Sequence, residues 1–161
     1  MTPRTALATK PRAQRRASRR PQVQHLITAD EHSLVELEAL LATLPLCTTG
    51  RIFVEVPDAD SIVLLSAPPR MTISWLPRAS RSGAPGTGRR CAPGAAVSRA
   101  AIAWADEMLC VGDTDAAASL PTRITLLGGF VGTADIVDHL TGRLGVERAA
   151  IDAPERFSRL V

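Results

Sequence analysis

The sequence is poor in aromatic residues, with two Trp, three Phe and no Tyr among 161 residues. Base-stacking platforms need several exposed rings, so recognition of nucleic acid by stacking is excluded. Cysteine is equally scarce. Cys47, Cys91 and Cys110 are odd in number and far apart, with no C-x-x-C pair, and His25, His32 and His139 are just as scattered. Neither a disulfide framework nor a zinc site is supported, and a reduced, cytoplasmic setting is expected. No segment approaches the run of about 18 apolar residues that crosses a bilayer, so a soluble protein is expected. The pair Arg19-Arg20 is reminiscent of a twin-arginine export signal, but Asp30 and Glu31 interrupt the stretch that would have to be apolar. No Ser–His–Asp or Cys–His grouping stands in the local sequence, which leaves acid–base catalysis without a visible carrier.

What the sequence does contain is an ordinary globular composition, 45% hydrophobic and 22% charged, in a length suited to one domain. Its charge is segregated. The first 21 residues carry seven basic groups, Arg4, Lys10, Arg12, Arg15, Arg16, Arg19 and Arg20, and no acid. The remaining 140 hold 12 basic and 16 acidic groups, so the net +3 and the pI of 9.2 describe the tail more than the body. Residues 1–21 are expected to be a disordered basic tail, for which a solvated extension is a simpler reading than a nucleic-acid contact, and residues 22–161 the folded domain.

Along the body, strand and helix patterns alternate. Val23 to Ala29 reads as a strand, and Ser33 with Glu36 three residues on forms a capping box. Leu34, Leu37, Leu40, Leu41 and Leu44 then fall on one helical face that Pro45 ends. Arg51 to Val56 (RIFVEV) and Met71 to Leu76 (MTISWL) are strands, while Ile62 to Leu65 fits a short helix or a strand equally well. Arg78 to Gly94, rich in Arg, Ser, Gly and Pro, is expected to be a mobile surface loop. A second helix carries Val97, Ala101, Trp104 and Met108 on one stripe. Arg123 to Leu127 is a fourth strand, followed by Gly128-Gly129 and a helix capped by Thr133, with Ile136, Val137, Leu140 and Leu144 inward and Gly145 at its end. Ala149 to Ile151 closes the series. The alternation predicts a parallel sheet covered on both faces, with ligands beyond the carboxyl ends of its strands.

Three groups of residues fall near those ends. Gly83 to Arg90 (GAPGTGRR) lacks the Lys and hydroxyl that a phosphate-binding P-loop requires, and reads as a loop. Gly128-Gly129-Phe130-Val131-Gly132 follows a strand and opens a helix, where glycines either admit a pyrophosphate or simply permit tight packing. Arg78, Arg81, Arg89 and Arg90 supply guanidinium forks suited to the 2′-phosphate of NADP or to an acidic siderophore, or are solvated. Asp30, Glu31 and Glu55 end the first two strands, where a carboxylate meets a ribose hydroxyl or favours a helix start.

Taken in order, Asp30-Glu31-His32-Ser33-Leu34 leading a leucine helix to Leu44-Pro45, then Val54-Glu55-Val56, then Ser74-Trp75-Leu76-Pro77-Arg78, then GAPGTG, resembles the C-terminal domain of siderophore-interacting proteins. The resemblance runs from about Leu26 to Ile151. It implies a three-layer, Rossmann-like α/β fold with a mostly parallel sheet, as in the C-terminal domains of ferredoxin reductases. It also implies that Asp30 and Glu31 lie at the first strand-to-helix turn, and Trp75 and Arg78 where the adenosine half of NADP or NAD is expected; with Gly128 and Gly129 of the glycine turn above, these are the expected cofactor residues, and neither a catalytic side chain nor a metal site is expected. Relatives of this kind are NAD(P)H-dependent ferric-siderophore reductases whose flavin sits in a preceding β-barrel. The barrel has no counterpart here, which implies no FAD site in this chain and a separate flavin-barrel protein or a ferric siderophore as partner. Two departures accompany the match: Gly129-Phe130 stands where the family has Gly-Glu, and of its aromatic C-terminal motif only Phe157 and Arg159 are candidates. The competing expectation is a non-catalytic interaction or regulatory module that kept the fold.

Overall fold

The computed structural model describes residues 23–109 and 121–153; the basic tail, Cys110, Phe157 and Arg159 lie outside the described residues. Five strands form one parallel sheet: β1 (Gln24–Asp30), β2 (Thr49–Val56), β3 (Arg70–Pro77), β4 (Thr122–Leu126) and β5 (Ile151–Asp152). Their order across the sheet is β3-β2-β1-β4-β5, so the chain builds outward from β1 to β3, then crosses back to lay β4 on β1's other side. Helix α1 (Leu34–Thr43) follows β1, α2 (Ala95–Met108) precedes β4 and α3 (Phe130–Gly142) follows it.

Strand residues alternate between two apolar layers because successive side chains leave opposite faces. Ile27, Ala29, Ile52, Val54, Val56 and Met71 join Leu37 and Leu41 of α1. On the other face Leu26, Phe53, Leu76, Ile124 and Leu126 meet Val97, Ala101 and Ala105 of α2 and Ile136 and Leu140 of α3. A strand buried on both sides cannot show polar alternation, which is why RIFVEV and RITL read as nearly continuous apolar runs. Each fully buried Leu or Ile contributes about 1.5–3 kcal/mol relative to an exposed one. These layers therefore decide where every strand end falls.

The sequence-based expectations need four corrections. The capping box does not form: Ser33 precedes α1 but makes no side-chain cap. Instead its Oγ accepts from the Asp30 N–H at 2.9 Å, while Asp30 Oδ1 accepts from the N–H groups of His32 and Ser33 at 3.0 and 3.1 Å. A short carboxylate three residues upstream reaches the Ser33 N–H more directly than Glu36 can reach back. Ile62 to Leu65 is neither helix nor strand but part of an extended connection, entered by a turn at Ala59–Ser61 and closed by Pro68-Pro69. On α2 the buried row steps by four through Val97, Ala101 and Ala105 to Leu109, so Met108 falls off it and is exposed. Finally α3 starts at Phe130 with Gly129 before it, and Thr133 lies buried within the first turn, its Oγ1 donating to the Gly128 carbonyl at 3.3 Å. Residues 78–94 have architecture of their own: a turn at Arg78–Ser80 and an antiparallel bridge between Ser82 and Arg90.

Candidate functional site at the carboxyl edge of the sheet

The crossover between β3 and β4 makes β1 and β4 diverge in their connections, which opens a crevice beyond their carboxyl ends. Asp30 stands at the end of β1, Glu55 one residue before the end of β2, Arg78 directly after β3, and Gly128-Gly129 after β4. The same edge collects the starts of all three helices.

Glu55 organises this edge. The alternation that sends Val54 and Val56 to the α1 side sends Glu55 to the other, where it is fully buried. A carboxylate so placed is costly unless every lone pair is met. Its Oε1 accepts from the Gly94 N–H at 2.7 Å and from Arg78 Nη1 at 3.1 Å, and its Oε2 from the N–H groups of Ala96 and Val97, both at 2.9 Å. The donors at the start of α2, which have no partner within the helix, thus end on a full negative charge. Arg78 turns its other side to Glu31 in a two-point contact, Nη2 to Oε1 at 2.6 Å and Nη1 to Oε2 at 3.0 Å. That bond to Arg78 holds the Glu31 carboxyl below its usual range, outweighing the opposing effect of burial, and reinforces the guanidinium's charge in return.

Two further features shape the crevice. The starts of α2 and α3 touch through bare backbone: a Cβ on Gly94, whose φ is 84°, would lie 2.8 Å from the Gly132 N, and one on Gly132 2.9 Å from the Gly94 carbonyl oxygen. Beside them, a Cβ on Gly129 would come within 3.2 Å of Asp30 Oδ2. Below the crevice, Thr28 on β1 is buried, and its Oγ1 has no hydrogen-bond partner among the described residues.

Of the six residues expected to hold a cofactor, Asp30, Glu31, Arg78, Gly128 and Gly129 share this edge. Trp75 lies earlier in β3, paired in register with Val54 and half-buried against the α1-side layer. Glu55 and Gly94 carry more of the architecture than their sequence context suggests. Glu55 was legible as an acid inside an apolar strand, since such a residue needs buried partners; Gly94 had no such signal, because its close neighbour is 38 positions away. Among the described residues no group of His, Cys, Asp and Glu is arranged to hold a metal ion.

A dinucleotide needs unfilled N–H donors for its phosphates. The first donors of α2 are taken by Glu55, whereas Asp30 meets only the N–H groups of His32 and Ser33 ahead of α1. The start of α3 has no side-chain cap and is reached through two glycines. The residues fit a pyrophosphate there; the start of α1 also has no side-chain cap, but no glycines lead into it.

The parallel sheet, the reversal of strand order beside β1 and the crevice beyond the strand ends define a Rossmann-like α/β domain. A family model for siderophore-interacting proteins matches residues 22–105, just over half of the sequence, and the chain belongs to that family. Among solved structures it is similar to the siderophore-interacting protein of Acinetobacter baumannii, with a TM-score of 0.57 and 12% identity over 95% of this chain and 50% of that one. A siderophore utilization protein from T. fusca gives 0.56 and 21% over 81% and 42%, and SipS of Aeromonas hydrophila 0.54 and 16% over 83% and 45%. Those likenesses establish the fold. Uncharacterized proteins of Mycobacterium tuberculosis and Mycobacterium bovis are 34% identical over 58 residues, 36% of this chain and 20% of theirs. The matches thus span half or less of each relative.

Proposed function

We propose that this chain is the NAD(P)H-binding half of a ferric-siderophore reductase, working in iron acquisition with a flavin held by a separate barrel protein. The observation that carries the reading is the uncapped start of α3 at the crevice, in a chain whose family is that of siderophore-interacting proteins. Gly128 and Gly129 would let a pyrophosphate approach, and the first N–H groups of α3 would hold it. NAD(P)H held there would supply hydride to the flavin, from which ferric iron in the siderophore would be reduced. The chain's own part is to bind and orient, with Glu55 and Arg78 fixing the edge against which the nucleotide lies. Isothermal titration with NADH, NADPH and a ferric siderophore tests this: binding of a dinucleotide at submillimolar concentration is expected. Absence of binding by both dinucleotides at millimolar concentration overturns it, whether or not the ferric siderophore binds.

A second reading has an observation in its favour. The start of α2 already holds a carboxylate, and Phe130 and Val131 leave much of their apolar surface exposed beside the crevice. On this reading the chain is a non-catalytic interaction module acting through that edge and the basic tail. Removal of residues 1–21 should then abolish a strongly salt-dependent partner or nucleic-acid interaction, and unchanged binding after removal counts against it.

A further inference from the structure

Every other strand-to-strand connection carries an α-helix, whereas that between β2 and β3 carries only the turn at Ala59–Ser61. From Ile62 to Ala67 (IVLLSA) the chain is extended, as residues of this type ahead of Pro68-Pro69 favour. Its side chains alternate as in a strand. Leu65 and Ala67 pack on the α1-side layer that also holds Ile73 and Trp75, while Ile62, Leu64 and Ser66 face solvent, Leu64 wholly exposed. Among the described residues, no hydrogen bond engages the backbone N–H or C=O of any residue from Val63 to Ala67.

A segment that has the pleat of a strand but no ladder is a template for another strand. Residues of high β-propensity with no charge and no Pro make up the composition that pairs edge to edge most readily. The segment packs beside β3, the edge strand of the sheet, so it borders the side of the molecule where no further strand follows among the described residues. The other large apolar side chains exposed among those residues stand singly or as one pair, whereas Ile62, Val63 and Leu64 are consecutive. The segment therefore offers backbone donors and acceptors together with apolar surface.

We propose that residues 62–67 form a strand-addition interface joining two copies of this chain, antiparallel, about a two-fold axis at Leu64. An axis perpendicular to the new ladder keeps inward side chains inward, so each residue must meet one of its own parity. Centred on Leu64, the pairing sets Leu64 against Leu64 of the second copy, Val63 against its Leu65 and Ile62 against its Ser66. No charged side chain meets its like along the ladder. The flanks supply the orientation, because the exposed acids of the turn, Asp58 and Asp60, precede the segment and the exposed Arg70 follows it. Antiparallel pairing brings the acidic end of each copy to the basic end of the other, whereas parallel pairing sets acid against acid and arginine against arginine. An isologous contact of this kind closes at two chains.

The test is sedimentation equilibrium of the full chain from about 1 to 500 μM, the range in which an interface this small associates. The mass should rise with concentration from that of one chain to that of two. Leu64→Lys places like charges on the axis and should weaken association at least about tenfold. Leu64 is wholly exposed, so the melting temperature of dilute protein should not move. The register has its own readout. Under oxidised glutathione, Leu64→Cys should give a disulfide-linked dimer, with the parent chain setting the background from the exposed Cys47. Ile62→Cys should not cross-link, because its counterpart lies about 13 Å further along the strand. A chain that stays monomeric throughout overturns the proposal, also where the segment pairs instead with an added extended peptide. So does a dimer that Leu64→Lys leaves unchanged, or one that cross-links through position 62 and not through position 64.

Discussion

Glu55 is the residue whose loss should be felt most widely. Replacing it by Ala strands Arg78 with one partner and leaves the N–H groups of Gly94, Ala96 and Val97 without theirs. Removing one member of a buried, hydrogen-bonded charge pair costs about 3–5 kcal/mol, so Glu55→Ala should lower the urea midpoint severely. Thr28→Val should act in the opposite sense. Its hydroxyl is buried without a partner among the described residues, and exchanging it for a methyl group should raise stability by about 1 kcal/mol in the same titration. The pH response follows from Glu31. Its folded-state pKa lies below the ordinary 4.5, so the Arg78 contact stabilises the protein fully above that value and is lost as pH falls through the lower, folded-state value. Unfolding midpoints measured from pH 6 to pH 3 should drop more steeply for the parent than for Glu31→Gln.

At the scale of elements, the meeting of α2 and α3 is the most constrained feature. Gly94 combines a left-handed φ with a neighbour at 2.8 Å, so Gly94→Ala meets strain and a backbone clash together. It should destabilise by roughly 2 kcal/mol or more in a thermal melt. The elements themselves were largely legible in the amino-acid pattern, because burial on both faces leaves runs such as RIFVEV that nothing but a central strand explains. Helix starts were less legible. Ser33 and Thr133 are both favourable capping residues, yet the turns formed through Asp30 and Gly129, because what precedes each helix is a strand end whose position the sheet dictates. The carboxyl-edge cluster was legible as a set of residues lying after strands, but not as a network. That Arg78 would be spent on Glu31 and Glu55 depends on contacts 47 and 23 positions apart, which local pattern does not record.

For the whole molecule, stability is centred on β1, which pairs on both sides along most of its length, and fades toward β5, which has two residues. Amide exchange should be slowest in β1 and β2 and fastest, among the strands, in β5, as local opening follows contact density. A second titration bears on the whole fold at the opposite edge of the sheet. His25, at the start of β1, is buried beside Arg123, and both burial and that charge, burial foremost, push its pKa below the ordinary 6.5. The folded protein therefore resists a proton that the unfolded chain accepts, and stability should decline as pH falls below about 6.5. In His25→Gln that part of the decline should disappear.

The connection between β2 and β3 has no helix to cover it. Ile62, Val63 and Leu64 lie extended, Leu64 wholly exposed, between two strands that remain paired along eight registered positions. An extended, apolar, solvent-facing segment is what an endoprotease accepts into its cleft. Among the described residues, brief digestion should cut there first, and the fragments should stay together and elute as one species, because the strands on either side hold each other through the sheet and not through the link between them.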